Sequence, residues 1–255
     1  MAWYLSEVSS DLSPIIDILE LYDRMGAFPK DVFIDEYKKH LVSLLRRTSF
    51  NTDHIDADDI PAVYENDEYK WLAVGYHDLI HSLGLIDLRG NEQNEYSFAL
   101  TEAGRRVLKQ SLSLPEHLRV ALPKWSNDVG INPYPIIRGL ARNLNLYPCA
   151  GLLLLEVLIV LIQLNQPYGH INIEGVLESK RKEFYKSGNM TGERSVDLVN
   201  YSGFLWEDLS QDLSNYYAAN YPARATLQLM LYAGDLTYGP VPDEIFGLIQ
   251  YVTST

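Results

Sequence analysis

Cysteine is nearly absent from this sequence, because Cys149 is the only one among 255 residues. A single cysteine excludes an internal disulfide framework and a cysteine-rich zinc site. The first residues contain no basic segment followed by an apolar run, so the sequence predicts no secretory signal. Together these features predict a protein of a reducing, intracellular compartment, the cytoplasm.

Basic side chains are also scarce. Lysine and arginine number 21 against 34 aspartate and glutamate residues, which gives a net charge of -13. This balance excludes a uniformly basic nucleic-acid-binding surface. Hydrophobic residues make up 47% of the chain, which excludes intrinsic disorder and provides a core for one large domain or two small ones.

Only one apolar run approaches the length of a membrane-spanning helix. It covers residues 146–164, and Glu156 lies in its middle, where an acid is costly in a bilayer. Pro148 suits the first turn of a helix, so about 15 helical residues remain, or roughly 22 Å, against the ~30 Å of a bilayer core. The run therefore predicts a central buried helix, and a membrane is not a predicted partner.

Motifs for common enzyme chemistries are missing as well. The chain has no glycine-rich phosphate loop, no Gly-x-Gly-x-x-Gly and no Gly-x-Ser-x-Gly. Glu-x-Lys triplets of the kind restriction nucleases use begin at Glu36, Glu68 and Glu178, but each lies on a predicted helix rather than on a sheet strand. We therefore predict no catalytic residue and no cofactor, and expect no enzyme activity from this chain by itself.

Helical periodicity with one clear hairpin dominates the first part of the chain. Helices are predicted at 14–25, 29–47 and 67–83. Gly84 then ends a helix, and two short strands at 85–88 and 96–100 flank a turn-rich tip. Thr101 caps the helix that follows. This order is typical of the recognition helix and wing of a winged helix-turn-helix.

The second part of the chain is predicted to be almost entirely helical. After the apolar helix and the helix at 135–146 before it, helices are predicted at 173–186, 193–201, 205–219 and 223–233. Gly234 and Leu236 then resemble the start of a second wing. Residues 122–135 hold three prolines and one glycine and predict a hinge. The predicted fold is mainly α, with two winged helix-turn-helix lobes and small β-hairpin wings, in domains 1–125 and 126–255.

Positive charge is concentrated in one segment. Residues 135–195 carry seven basic and five acidic side chains, whereas residues 1–134 have a net charge of -9. If the chain binds DNA, this segment supplies most of the phosphate contacts, and a solvated helix face is the alternative. The predicted DNA-binding residues are Lys70, Arg89, Asn91, Arg138, Arg142, Lys180, Arg181, Lys182, Lys186, Arg194 and Arg224.

Two histidines provide a further alternative, a zinc hydrolase. His77 and His81 are four residues apart on one helix face, so both can reach one zinc ion, and Asp87 is a candidate third ligand. The spacing resembles the metzincin zinc-protease motif, but the residue after the first histidine is Asp78 rather than glutamate. The end of a winged-helix recognition helix explains the same residues, so no metal is predicted.

The order of the predicted helices, strands and motifs along the chain resembles the target-recognition region of type II (type IIS) restriction endonucleases of the AlwI-like kind. The resemblance rests on residues 3–6, 83–86, 100–104, 130–135, 179–182 and 221–226, and on the apolar helix that carries Glu156. It implies recognition of a double-stranded DNA site. In that family a nuclease domain follows, and this chain stops at Thr255, about where that domain would begin. The resemblance therefore implies that cleavage, with its Mg²⁺, belongs to a separate nuclease subunit or domain.

Two functions from different classes follow from the sequence. The first is a sequence-specific DNA-binding module of a restriction or defence-type system that does not itself cut DNA. The alternative is an acidic winged-helix subunit that docks on a protein partner in a larger complex. Charge geometry discriminates between them, because basic residues of 138–194 scattered over different faces favour the docking subunit.

Overall fold

The computed structural model describes residues 12–47, 67–90, 96–125, 132–142, 150–165, 172–238 and 249–251. Within these residues the chain is mainly helical with short antiparallel strands, which confirms the predicted fold class at that level. The chain divides into two compact units, Met1–Ala121 and Leu122–Thr255. The division falls at the start of the segment predicted as the hinge.

The first unit combines helices with one hairpin. Its elements are α1 (Pro14–Met25), α2 (Lys30–Arg47), α3 (Asp67–Ser82), β1 (Ile86–Gly90), β2 (Tyr96–Leu100), α4 (Glu102–Leu108) and α5 (Leu114–Ala121). The two strands pair antiparallel, from Ile86 opposite Leu100 to Gly90 opposite Tyr96. Phe28, between the first two helices, adds an isolated antiparallel bridge to Phe98 in β2.

Aromatic stacking holds the first two helices of this unit together. The rings of Tyr22 and Phe28 are stacked with centroids 4.5 Å apart, and Phe33 continues the stack at 5.3 Å from Tyr22. Tyr37, one turn further along α2, stacks on Phe33 at 5.5 Å. All four side chains are buried, so they form the apolar centre from which the hairpin extends.

The turn from α3 into β1 has the geometry that the sequence predicts. Gly84 has a φ of +70°, a conformation that favours glycine, and the N–H of Leu85 donates to the carbonyl of Ile80 at 2.9 Å. The predicted cap of α4 is also confirmed: the Thr101 hydroxyl accepts from the N–H of Gly104 at 3.0 Å and donates to the Gly84 carbonyl at 2.7 Å. One threonine therefore links the hairpin to the helix that follows it.

Helix α5 was not predicted from the sequence. It is held through His117, whose Nε2 lies 2.8 Å from the carbonyl oxygen of Leu83 at the end of α3. His117 and Leu118 are buried, whereas Val120 on the same helix is exposed. The helix has only eight residues, about two turns, so it is shorter than the window over which a helical period is read.

The second unit is a group of helices with a small sheet. Its elements are α6 (Pro133–Ala141), α7 (Ala150–Leu164), α8 (Ile173–Lys186), α9 (Arg194–Ser210), α10 (Leu213–Ala233), β3 (Leu236–Tyr238) and β4 (Ile249–Tyr251). The apolar run forms α7, which is buried along much of its length. Among the described residues no helix is long and apolar enough to cross a membrane.

The predicted helix boundary near Pro222 is wrong. Helix α10 continues through Pro222, and the break lies earlier, where Asp212 accepts from the N–H of Asn215 and caps the helix. A proline inside a helix leaves the carbonyl four residues earlier without its donor. Here that residue is Ala218, which is exposed to water, so the lost hydrogen bond is inexpensive. The hydroxyl of Thr226 donates to the Pro222 carbonyl at 2.7 Å.

Helix α10 ends in the same way as α3. Gly234 has a φ of +74°, and the N–H of Asp235 donates to the carbonyl of Met230 at 2.9 Å. Strand β3 follows at once and pairs antiparallel with β4, with Leu236 opposite Tyr251. Both units therefore contain a helix, a left-handed glycine and a short antiparallel strand in that order.

Candidate functional site

The second unit contains a cavity of about 410 Å³ between helices α7, α8 and α9. Its apolar wall includes Leu152 and Phe184, both buried, and the half-buried Leu198. Glu156 and Arg181 also line it. The cavity therefore combines an apolar wall with a charged pair.

Glu156 is the acid that interrupts the apolar run, and its side chain is 1% exposed. Arg181 on α8 donates to Oε2 from Nη2 at 2.9 Å, and to Oε1 from Nη2 and Nε at 3.2 and 3.3 Å. The hydroxyl of Tyr201 on α9 donates to Oε1 at 2.9 Å. Burial, and then the charge of Glu156, raise the pKa of Tyr201. Three helices thus meet at one buried carboxylate. Their hydrogen bonds and the charge of Arg181 offset the cost of burying the Glu156 charge.

The three consecutive basic residues of α8 point to three different acids. Lys180 lies 2.8 Å from the carboxylate of Asp208 on α9, Arg181 binds Glu156 inside the unit, and Lys182 pairs with Glu178 on its own helix. Neighbouring positions on a helix are about 100° apart, so the three side chains leave in different directions. This part of the predicted basic segment is therefore scattered and largely neutralised within the chain.

A tight turn between α8 and α9 forms the mouth of the cavity. The carboxylate of Asp197 accepts from the N–H of Thr191 at 2.6 Å and from the N–H of Gly192 at 3.0 Å. These hydrogen bonds, above all the one from Thr191, lower the pKa of Asp197. Met190 and Arg194 line the cavity on either side of this turn, and both are exposed.

The other predicted DNA-binding residues lie in several elements. Arg89 in β1, Lys186 at the end of α8, Arg194 at the start of α9 and Arg224 in α10 are exposed. Arg138 in α6 and Arg142, just after the end of that helix, line another pocket of about 370 Å³. Lys70 lies on α3, but its side chain and the whole of Asn91 are outside the described residues.

The histidine pair does not form a metal site with Asp87. The ring of His77 is buried and packs edge-on against Phe98, with centroids 4.4 Å apart, whereas His81 is exposed. The Asp87 carboxylate instead accepts from the N–H of Leu88 at 2.8 Å. Throughout the part of the chain that the structure describes, no three His, Cys, Asp or Glu side chains are grouped to hold a metal ion.

His77 makes the stability of the first unit depend on pH. Burial lowers the pKa of His77, against the opposing hydrogen bond from its Nδ1 to Asp78 at 3.2 Å, while Lys30 and His81 lower it further. A histidine that stays neutral when folded but protonates near pH 6.5 when unfolded stabilises the folded state less as pH falls. The full stability is present above pH 6.5 and decreases as pH falls toward the lower folded pKa.

We therefore expect a His77→Phe variant to lose this pH dependence. Urea unfolding at pH 7.0 and pH 5.5 measures this pH dependence. In the unaltered protein we expect the free energy of unfolding to fall by up to about 1.4 kcal/mol per pH unit. Phenylalanine suits the aromatic surroundings of Phe33 and Phe98. A His81→Gln variant is the control, and its free energy of unfolding should decrease with falling pH as in the unaltered protein. Equal pH dependence in the unaltered and His77→Phe proteins would contradict the assignment.

Comparisons with known proteins leave the function to be argued from these residues. No family model matches the chain, and no curated protein or solved structure matches it either. The sequence predicts that Glu156 lies in a buried helix, and a buried acid requires a partner. Nothing local in the sequence indicates that its partners are Arg181 and Tyr201.

Proposed function

We propose that this chain is a sequence-specific double-stranded DNA-binding module made of two winged-helix lobes, which recognises a target site in a restriction or defence-type system without cutting it. The resemblance to AlwI-like recognition regions motivates the proposal. Its structural support is the order of elements in the first unit. Cleavage is proposed to belong to a separate nuclease subunit or domain.

The observation that carries the proposal is the backbone bridge between Phe28 and Phe98. The N–H of each residue donates to the carbonyl of the other, at 3.1 and 2.8 Å. Phe28 therefore acts as a one-residue strand beside β2, which lies between Phe28 and β1. Among the described residues of this unit the order is then helix, short strand, helix, helix and hairpin, as in a winged helix. In this arrangement α3 is the helix that enters the major groove.

The second lobe is supported by the matching turns at Gly84 and Gly234. Both glycines have a positive φ, both follow a helix, and the next residue in each case donates back to a carbonyl of that helix. A short antiparallel strand follows in each unit. By this correspondence α10 takes the role in the second lobe that α3 takes in the first.

The charges narrow the set of DNA contacts. Lys180, Arg181 and Lys182 each bind a carboxylate of the chain, so they offer phosphate little net charge. The proposed contacts are therefore those predicted DNA-binding residues that are exposed and form no ion pair with a described residue, namely Arg89, Lys186, Arg194 and Arg224. Four phosphate contacts predict that affinity falls on the order of 100-fold between 50 and 200 mM salt.

One observation favours a second function, the acidic docking subunit. The basic residues of α8 are scattered over different faces and paired, and the chain has a net charge of -13. The hairpin also exposes Leu88 and Tyr96, which suit a protein interface better than a phosphate backbone. A basic protein partner is the class that this surface fits.

Fluorescence anisotropy with a randomised DNA duplex at 50 and 200 mM salt tests the proposal. We expect salt-dependent binding, and an Arg89→Ala variant should bind more weakly with a salt slope reduced by about 1. Lys182→Ala removes the same charge from an exposed ion pair with Glu178 on the same helix and is the matched control, with a smaller expected effect. Absence of binding at 50 mM salt would refute the DNA-binding module and favour the docking subunit.

A further inference from the structure

We propose that the cavity between α7, α8 and α9 binds a small amphipathic anion, a ligand with a flat apolar body and one anionic group. The proposal does not rest on DNA binding, although Arg194 at the mouth of the cavity is also among the proposed DNA contacts. The cavity has a volume of about 410 Å³, in the range of pockets that hold small molecules. It is formed within the second unit alone.

The wall of the cavity suits an apolar body. Leu152 and Phe184 are buried, and Leu198 and Tyr201 face the same space from α9. At the mouth, the side chain of Tyr185 is 61% exposed although it lines the cavity. Aromatic side chains on the wall and at the mouth favour a flat ligand, which stacks on them or contacts their edges.

The position of the charges indicates the sign of the ligand. Both acids of the cavity are already satisfied, because Glu156 accepts from Arg181 and Tyr201, and Asp197 accepts from the backbone of the turn. The charge of Arg181 is in turn balanced by Glu156. A cationic ligand therefore finds no available carboxylate in this cavity.

Arg194 is the charged group of the cavity that remains available. It is exposed at the mouth and forms no ion pair with a described residue. It is also the first residue of α9, a helix of 17 residues whose N-terminus adds partial positive charge. The neighbouring Glu193 accepts from the Ser195 hydroxyl at 3.0 Å and does not pair with Arg194. A ligand with its anionic group at the mouth, beside Arg194, and its apolar body inside therefore complements both the charged mouth and the apolar wall.

Titration with 8-anilinonaphthalene-1-sulfonate tests the site, because this dye has a flat apolar body and one sulfonate. We expect saturable binding of one dye per chain by fluorescence. Leu198→Trp, which fills the cavity, should abolish it, and Arg194→Gln should weaken it about tenfold. Lys182→Gln removes a charge from α8 outside the cavity and should leave dye affinity unchanged.

A neutral probe separates the two parts of the proposal. N-phenyl-1-naphthylamine has the same aromatic body without the sulfonate, so Arg194→Gln should not change its binding, whereas Leu198→Trp should abolish it. Circular dichroism checks that both variants are folded. Dye binding that survives Leu198→Trp overturns the site, and equal sulfonate-dye affinity in the Arg194→Gln variant overturns the anion preference. If Leu198→Trp does not fold, the two dyes compared on Arg194→Gln, an exposed position, still decide the question.

Discussion

Replacing Arg181 with methionine should lower the free energy of unfolding of the second unit by about 3 kcal/mol. Removing one partner of a buried ion pair leaves an uncompensated charge, which costs roughly 3 to 5 kcal/mol. We expect the lower end of this range because the Arg181 side chain is 29% exposed, whereas Glu156 is 1% exposed. Urea unfolding at neutral pH, followed by circular dichroism, measures the loss.

The double variant Glu156→Leu/Arg181→Met is the informative control. It removes both charges and places an apolar side chain in the most apolar helix, so it should recover most of the stability lost in Arg181→Met. Recovery stays incomplete because the hydroxyl of Tyr201 loses its acceptor. If Arg181→Met loses less than about 1 kcal/mol, or if the double variant is no more stable, Arg181 does not compensate the Glu156 charge.

The Gly104→Ala substitution should destabilise the first unit by about 3 kcal/mol, the upper end for overpacking. A methyl group at Gly104 would collide with the carbonyl oxygen of Leu85 and approach the Leu100 side chain to 3.1 Å. The Leu85 carbonyl cannot move freely, because it accepts a hydrogen bond from the N–H of Thr101 at 3.0 Å. The collision therefore disturbs the junction between α3, the hairpin and α4.

Gly203→Ala is the matched control for this substitution. Gly203 lies inside α9, is exposed, and has no atom within 4 Å of an added methyl group. Alanine there should raise stability by up to about 1 kcal/mol, since glycine is the poorer helix former. Urea unfolding of both variants tests the contrast. A Gly104→Ala protein as stable as the unaltered one would show that the α3–hairpin–α4 junction accommodates a methyl group.

Elements with local signals were predicted closely. The strand predicted at 96–100 is observed at Tyr96–Leu100, and the helix predicted at 173–186 is observed at Ile173–Lys186. The cap at Thr101 and the turn at Gly84 were also found. Each of these signals is contained in a few neighbouring residues, through capping hydrogen bonds or the freedom of glycine at positive φ.

Elements whose signals depend on distant residues were predicted poorly. Pro222 predicted a helix end, but the packing of α10 and the exposure of Ala218 allow the helix to continue. The two helices predicted at 193–201 and 205–219 are instead α9, which runs to Ser210, and the start of α10. Tertiary packing outweighs a local preference of a few kcal/mol when a long helix has a buried face to place.

The sequence by itself determined the mainly helical class and the helix, glycine and strand that follow one another at Gly84 and Gly234. Only the tertiary structure decided which charges meet. Arg181 is 25 residues from Glu156, and Tyr201 is 45 residues away, yet all three share one hydrogen-bonded cluster. Local periodicity shows which face of a helix is buried, but the partner of a buried charge depends on how separate helices pack, and single-sequence patterns carry no record of that packing.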